Sequence, residues 1–200
     1  MPTGTAIPDV RRRLFDAAER VLLRDGPSAL STRSVTSEAG CANGVLHRHF
    51  DDFDDFLAAL VRDRATRMGS RTAELRESAG TGTVTGNLTT TLTTVFESVA
   101  VAMVSLITFR DGLRAKLRSA WPTGIPILTE AVAAIAAYLS AERELGRIAV
   151  DADVDALALT LIGSAHLLFG DRDGPRPERE AVERMVAGIM NSTYPDAHKG

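Results

Sequence analysis

Apolar residues recur along this chain at spacings of three and four, the period of a helix with one buried face. Val10, Leu14, Ala17, Ala18, Val21 and Leu22 form such a stripe and predict a first helix over residues 9–24. Asp25–Gly26–Pro27 stops it, because glycine accepts a left-handed cap and proline cannot continue a helix. Val35 and Ala39, four apart, put a stripe on a short second helix for which Ser31 is the N-cap. Leu46 and Phe50 do the same for a third, and Gly40–Cys41 forms the tight turn between them. A longer helix follows over residues 54–77 through Phe56, Leu57, Leu60, Val61 and Met68. Asp51, Asp52, Asp54 and Asp55 crowd its start, where the helix dipole favours carboxylates, and Asp51 with Asp54 has capping-box spacing.

Beyond the glycine-rich stretch Gly80–Gly86, which reads as a mobile loop, Asn87 is placed to cap a helix over residues 88–109. A short basic helix over 111–119, a turn at Trp121–Gly124 and a helix over 127–144 come next. Asp151 or Asp153 caps a helix over 154–169, and a last helix spans 178–191. Residues 1–8 and those from Ser192 carry no pattern and read as an arm and a tail. The fold class is all-α, with about nine helices and no internal repeat. The helix over 154–169 is apolar on almost every side, so it must be buried on two sides, and only one can face its own core. With the last helix it offers a self-complementary surface of Leu157, Leu161, Ile162, Ala165, Leu168, Val182, Met185 and Ile189, the seam of a homodimer. Gly163 and Ser164, small and mid-helix, allow close approach there.

In the stretch Ser31–Phe50 the two apolar stripes can close on each other across the turn. That leaves Asn43, Gly44, His47 and Arg48 on the outer face of the second of the pair, as in a helix-turn-helix that presents side chains to a DNA major groove. An ordinary helical hairpin has the same spacing, and the surrounding residues decide between them. Leu14, Ala17 and Ala18, Gly26, Ser31, Arg33 and Val35, Ala39–Gly40, Gly44, Leu46, His49, Phe50 and Leu57 fall in one ordered string. On these residues the chain from Arg12 to Leu57 resembles the N-terminal domain of the tetracycline-repressor (TetR) family of transcriptional regulators.

The resemblance implies a three-helix helix-turn-helix DNA-binding domain over residues 1–53 and a helical ligand-binding and dimerisation domain over 54–200. Its implied partners are a double-stranded DNA operator, a small-molecule effector and a second copy of the chain. The implied DNA-binding residues are Arg33, Ala42, Asn43, Gly44, Val45, His47 and Arg48. An effector pocket would be lined by Phe96, Met103, Ile107, Trp121, Leu128 and Tyr138, with plain core as the alternative for each, and the scarcity of charge on these stripes suggests an apolar or aromatic ligand.

The chain also departs from the family pattern. It has His47 where a tyrosine is usual, Ala42 and Val45 where hydroxyl residues are common, and Phe53 where a lysine commonly opens the fourth helix. Those side chains commonly donate to phosphates, so DNA binding is expected to be weaker or more salt-sensitive than usual.

Charge and composition narrow the classes further. A net charge of −3 means that any DNA contact must come from a local patch. The single cysteine, Cys41, excludes an internal disulfide and suits a reducing cytoplasm. No segment reads as a signal peptide or a membrane span. His47 and His49, two apart, diverge on a helix and cannot share a metal, and the lone His166 reads as a core histidine. No phosphate loop, dinucleotide fingerprint or nucleophile elbow occurs, so neither an enzyme nor a cofactor is expected. The expected function is a ligand-responsive repressor; the rival is a ligand- or partner-binding protein of the same fold with weak or lost operator binding.

Overall fold

The computed structural model describes residues 7–96, 99–171 and 174–193. The helices are α1 (Ile7–Asp25), α2 (Thr32–Glu38), α3 (Gly44–His47), α4 (Phe53–Glu77), α5 (Val84–Phe96), α6 (Ala100–Phe109), α7 (Asp111–Leu117), α8 (Pro126–Glu144), α9 (Val154–Leu168) and α10 (Arg179–Met190). Single 3-10 turns occupy Pro27–Ala29 and Asn191–Thr193, and no β-strand occurs among the described residues. Most of the expected arm and tail, residues 1–6 and 194–200, lies outside the described residues. No single described helix is long and apolar enough to cross a membrane.

Contacts divide the chain into two compact units, Met1–Arg64 with Ala102–Ile125, and Ala65–Val101 with Pro126–Gly200. The first therefore extends past residue 53, into α4, and takes in α7. Its core is the apolar stripe of α1, with Leu14, Ala17, Ala18 and Leu22 fully buried, packed on α2. Phe15, Phe50 and Phe56 form an aromatic cluster with centroids 5.2 to 6.2 Å apart, the spacing at which aromatic rings attract beyond their buried area. Gly26 ends α1 at φ 86°, its N–H bonded to the Leu22 carbonyl at 3.1 Å. Arg64 ties α4 to α1 by ion pairs with Glu19 and with Asp16 (3.3 Å). The cap of α4 is Asp52, not Asp51: its Oδ1 accepts from the Asp55 N–H at 2.8 Å. One residue of phase decides which carboxylate meets the third N–H, and spacing in an aspartate run leaves that open.

In the second unit α9 packs between α8 and α10, and α5 packs chiefly on α10. Asp153 caps α9 through the Ala156 N–H at 3.0 Å. The expected helix over 88–109 is instead two, α5 and α6, and α5 starts four residues early. Thr83 rather than Asn87 is its cap, with the Gly86 N–H on the Thr83 hydroxyl at 3.0 Å. Asn87 lies inside α5 and donates to the Thr81 carbonyl (2.9 Å) and the Tyr138 hydroxyl (3.0 Å).

The Gly80–Gly86 stretch, expected to be mobile, is pinned by a buried carboxylate. Glu142 on α8 is 0% exposed, pairs with Arg147 at 3.2 Å and accepts from the Gly80 N–H at 3.4 Å. Arg147 in turn donates to the Thr81 and Gly82 carbonyls at 3.4 and 2.5 Å. Tyr138 is wholly buried; burial first, and then the bond it donates to Glu142, hold its pKa well above the ordinary phenol value. Nothing in a Gly/Thr-rich string announces a carboxylate sixty residues away.

The phase of α9 also corrects the expected dimer seam. Leu161, Ile162 and Ala165, with Val182 of α10, are at most 2% exposed and belong to the subunit's own core. Leu157, Leu168, Met185 and Ile189 are half-buried. The outward side carries Leu159, Gly163 and Leu167 instead, at 64% exposure for Leu159 and 83% for Leu167. A helix apolar all round carries no signal of which side its neighbours take.

Candidate nucleic-acid interface

Ser31 and Ser34 form a capping box that starts α2, with the Ser34 N–H on the Ser31 hydroxyl at 3.1 Å and the reverse bond at 2.9 Å. Val35 and Thr36 turn inward, and Arg33 stands exposed on the second position of the helix. Gly40 takes φ 64° in the turn, a conformation that disfavours any Cβ, and the Cys41 N–H closes it on the Thr36 carbonyl at 3.0 Å. Leu46 is the only fully buried side chain of α3 and anchors it. That one anchor leaves Ala42, Asn43, Gly44, His47 and Arg48 exposed and Val45 half-buried. A Cβ at Gly44 would meet nothing within 4 Å, so the surface there is open. The six predicted residues of the turn and α3 thus form one exposed patch, with Arg33 on α2 before it.

Of the three successive arginines Arg11, Arg12 and Arg13 on α1, the first and last are engaged within the domain. Arg13 donates to the Ala39 carbonyl at 3.0 Å, and the Arg11 guanidinium lies 5.3 and 5.1 Å from the Phe15 and Phe50 rings. Glu38, at the end of α2, is held by Arg20 (2.7 Å) and Arg24 (3.0 Å). Those two bonds, Arg20's first, keep its carboxyl below the usual range.

The aspartates after α3 are met by cations from α7 and the residue before it, a pairing that sequence reading missed. Lys116 lies 2.7 Å from Asp55 and 3.0 Å from Asp52. Arg110 pairs with Asp54, and its guanidinium stands 5.1 Å from the ring centroid of Phe53, which stacks on Phe56. The one available signal was Lys116 itself, an isolated lysine in an arginine-rich chain.

The Asp55 N–H first, and Lys116 next, hold the Asp52 carboxyl below its ordinary value, while Asp55 and Asp52 push Lys116 up to about 12. A carboxyl depressed on folding adds stability above its unfolded pKa, and that stability is lost as pH falls through the folded value. Lys116→Ala should therefore lower the melting temperature at neutral pH, and the difference from wild type should shrink below about pH 4, as carboxylates protonate. Melting curves from pH 7 to 3 check this; a difference that persists undiminished at pH 3 would locate the effect in packing instead.

The residues expected to line an effector pocket are divided between the units. Met103 and Ile107 are buried and Trp121 is half-exposed in the first; Phe96 and Tyr138 are buried and Leu128 is half-buried in the second. Phe96 stacks on Phe169 at 5.6 Å and stands 6.2 Å from the His166 ring, whose buried Nδ1 has no hydrogen-bond partner among the described residues.

Residues 14–60 match the bacterial regulatory proteins of the tetR family. An uncharacterized HTH-type transcriptional regulator of Mycobacterium tuberculosis H37Rv is 31% identical over 94 residues, 45% of this chain and 46% of that protein. That N-terminal stretch is therefore of the tetR-family type. The chain's matched stretch spans about half the length of the curated relatives it matches. Among solved structures, reduced NemR of E. coli superposes with a TM-score of 0.74 at 16% identity, covering 94% of this chain and all of that one. FadR of Bacillus subtilis, solved with stearoyl-CoA, gives 0.66 at 16% identity, covering 90% and 97%. The fold of these two proteins therefore extends over nearly the whole chain. The matched family and relatives are regulators.

Proposed function

We propose that this chain is a cytoplasmic DNA-binding transcriptional regulator of the TetR family, a homodimeric repressor that a small apolar or aromatic effector releases from its operator. The observation that carries it is the exposed patch Ala42–Arg48, with the exposed Arg33 of α2, on a helix-turn-helix otherwise fastened to its own core. Residues 1–53 would read DNA and the remaining helices would take the effector, in a fold that in Bacillus subtilis FadR accompanies stearoyl-CoA. The outward sides of α9 and α10 would pair about a two-fold axis. Such a dimer sets its two recognition helices about 34 Å apart, one DNA turn. An effector that binds the other spacing better shifts the population away from DNA. The cations on Asp52, Asp54 and Asp55 favour this reading over lost operator binding, since they offset negative charge next to α3.

The test is a salt titration of binding to sequences selected from a random duplex pool. Wild type should bind at low salt, and Arg33→Ala should weaken all sequences alike and flatten the slope of log K against log salt by about one per subunit. The same titration with apolar and aromatic compounds should show release by at least one. An Arg33→Ala slope equal to wild type removes Arg33 from the interface, and no binding at low salt rejects the regulator.

A further inference from the structure

Thr36 of α2 is wholly buried, and its hydroxyl lies 2.7 Å from the Thr32 carbonyl oxygen and 2.5 Å from the Asn43 amide oxygen. The second contact reaches across the turn to the start of α3. Asn43 occupies the N-cap position there but does not cap; its amide folds back to Thr36 and makes no other hydrogen bond among the described residues. An exposed side chain is thus held by a buried one.

A hydroxyl has one proton, so Thr36 cannot donate to Thr32 and to an amide oxygen together. Both contacts become hydrogen bonds when Thr36 donates to the Thr32 carbonyl and the Asn43 amide, turned by half a revolution, donates to Thr36. One N–H is then used, and the amide oxygen and the other N–H are left as an acceptor and a donor. Adenine alone presents the complement of that pair in the major groove, an N6 donor beside the N7 acceptor. With the opposite sense, Thr36 donates to the Asn43 oxygen, which keeps its second lone pair beside two N–H donors, so an acceptor and a donor remain available there too.

We propose that Thr36 is a positioning residue for base reading: it holds the Asn43 amide with its acceptor–donor edge free, so that α3 selects adenine at one position of each half-site. This rests on α3 lying in the major groove, as proposed above. Base contact by a residue tethered in advance loses less freedom on binding than contact by a loose one.

Selection from a random duplex pool at low salt tests it with wild type, Asn43→Ala, Thr36→Val and Thr36→Ser. Wild type should select adenine at one position per half-site, and Asn43→Ala should relax that position alone. Thr36→Val fills the same volume without the hydroxyl, and should reduce discrimination there by roughly three- to tenfold, a part of what one bidentate pair supplies. Thr36→Ser restores the hydroxyl and should restore adenine, an outcome that a purely structural role for Thr36 does not predict. If Thr36→Val does not fold, Thr36→Ala takes its place in the same selection. The proposal is overturned if the hydroxyl-free variant selects adenine as strongly as wild type, or if wild type selects guanine or thymine there. A wild type that holds no DNA rejects the groove reading itself, and this inference with it.

Discussion

Glu142→Ala is expected to destabilise the protein by about 3–5 kcal/mol, the cost of breaking a buried ion pair from one side. For a chain of this length that is a fall in melting temperature of roughly 6–20 °C. The magnitude follows from what the carboxylate holds. It is fully buried, and it serves Arg147, the Gly80 N–H and the Tyr138 hydroxyl together. Truncation strands all three, and Arg147 keeps only the Thr81 and Gly82 carbonyls. Glu142→Gln retains an acceptor for Gly80 and for Tyr138, so it should lose clearly less. In Glu142→Ala/Arg147→Ala the unpaired cation is gone as well, and the loss should fall short of the sum of the single changes. Thermal melting followed by circular dichroism gives all four values. A Glu142→Ala protein that melts with wild type would show that the Gly80–Gly86 segment is held by something other than this network.

Gly163→Arg is expected to separate subunit stability from assembly. A Cβ at Gly163 meets nothing within 4 Å, so the free subunit accepts the side chain. Arginine in a helix interior is favoured over glycine by up to about 1 kcal/mol, so that subunit should melt no lower than wild type. In the proposed dimer the same site lies between Leu159 and Leu167 on the outward side of α9, opposite its symmetry mate. Gly188 on α10 is exposed and equally open, so both helices can approach a partner closely. An arginine there buries an unpaired charge twice per dimer, at a cost of several kcal/mol of association. Operator affinity should fall with it, although no residue from Ser31 to Phe50 has changed. Sedimentation at micromolar concentration decides: a wild type that runs as a 21.4 kDa monomer would sink the dimer and the two-site mechanism.

Much of the N-terminal helix-turn-helix was legible from local pattern. The α1 stripe, the Ser31 cap, the Gly40 turn and the Leu46 anchor each act within a few residues of themselves, so spacing was enough to place them and the exposed patch. Family resemblance added the role. Helix boundaries failed where a cap could be supplied by either of two neighbouring residues, as at Thr83 against Asn87 and Asp52 against Asp51. Local hydrogen-bond competition of that kind turns on one residue of phase.

Three features were decided only by the tertiary structure, each because its partners lie far apart in the chain. Lys116 and Arg110 meet the aspartates at the start of α4 across more than fifty residues. Glu142 meets Gly80 across sixty-two, and makes a fixed segment of what reads as a loose one. On α9, periodicity showed that two sides are apolar, but the side that faces inward was chosen by α8 and α10. Alternation along one helix records how many faces are apolar; which face is covered depends on the volumes its neighbours offer, and those are written elsewhere in the chain.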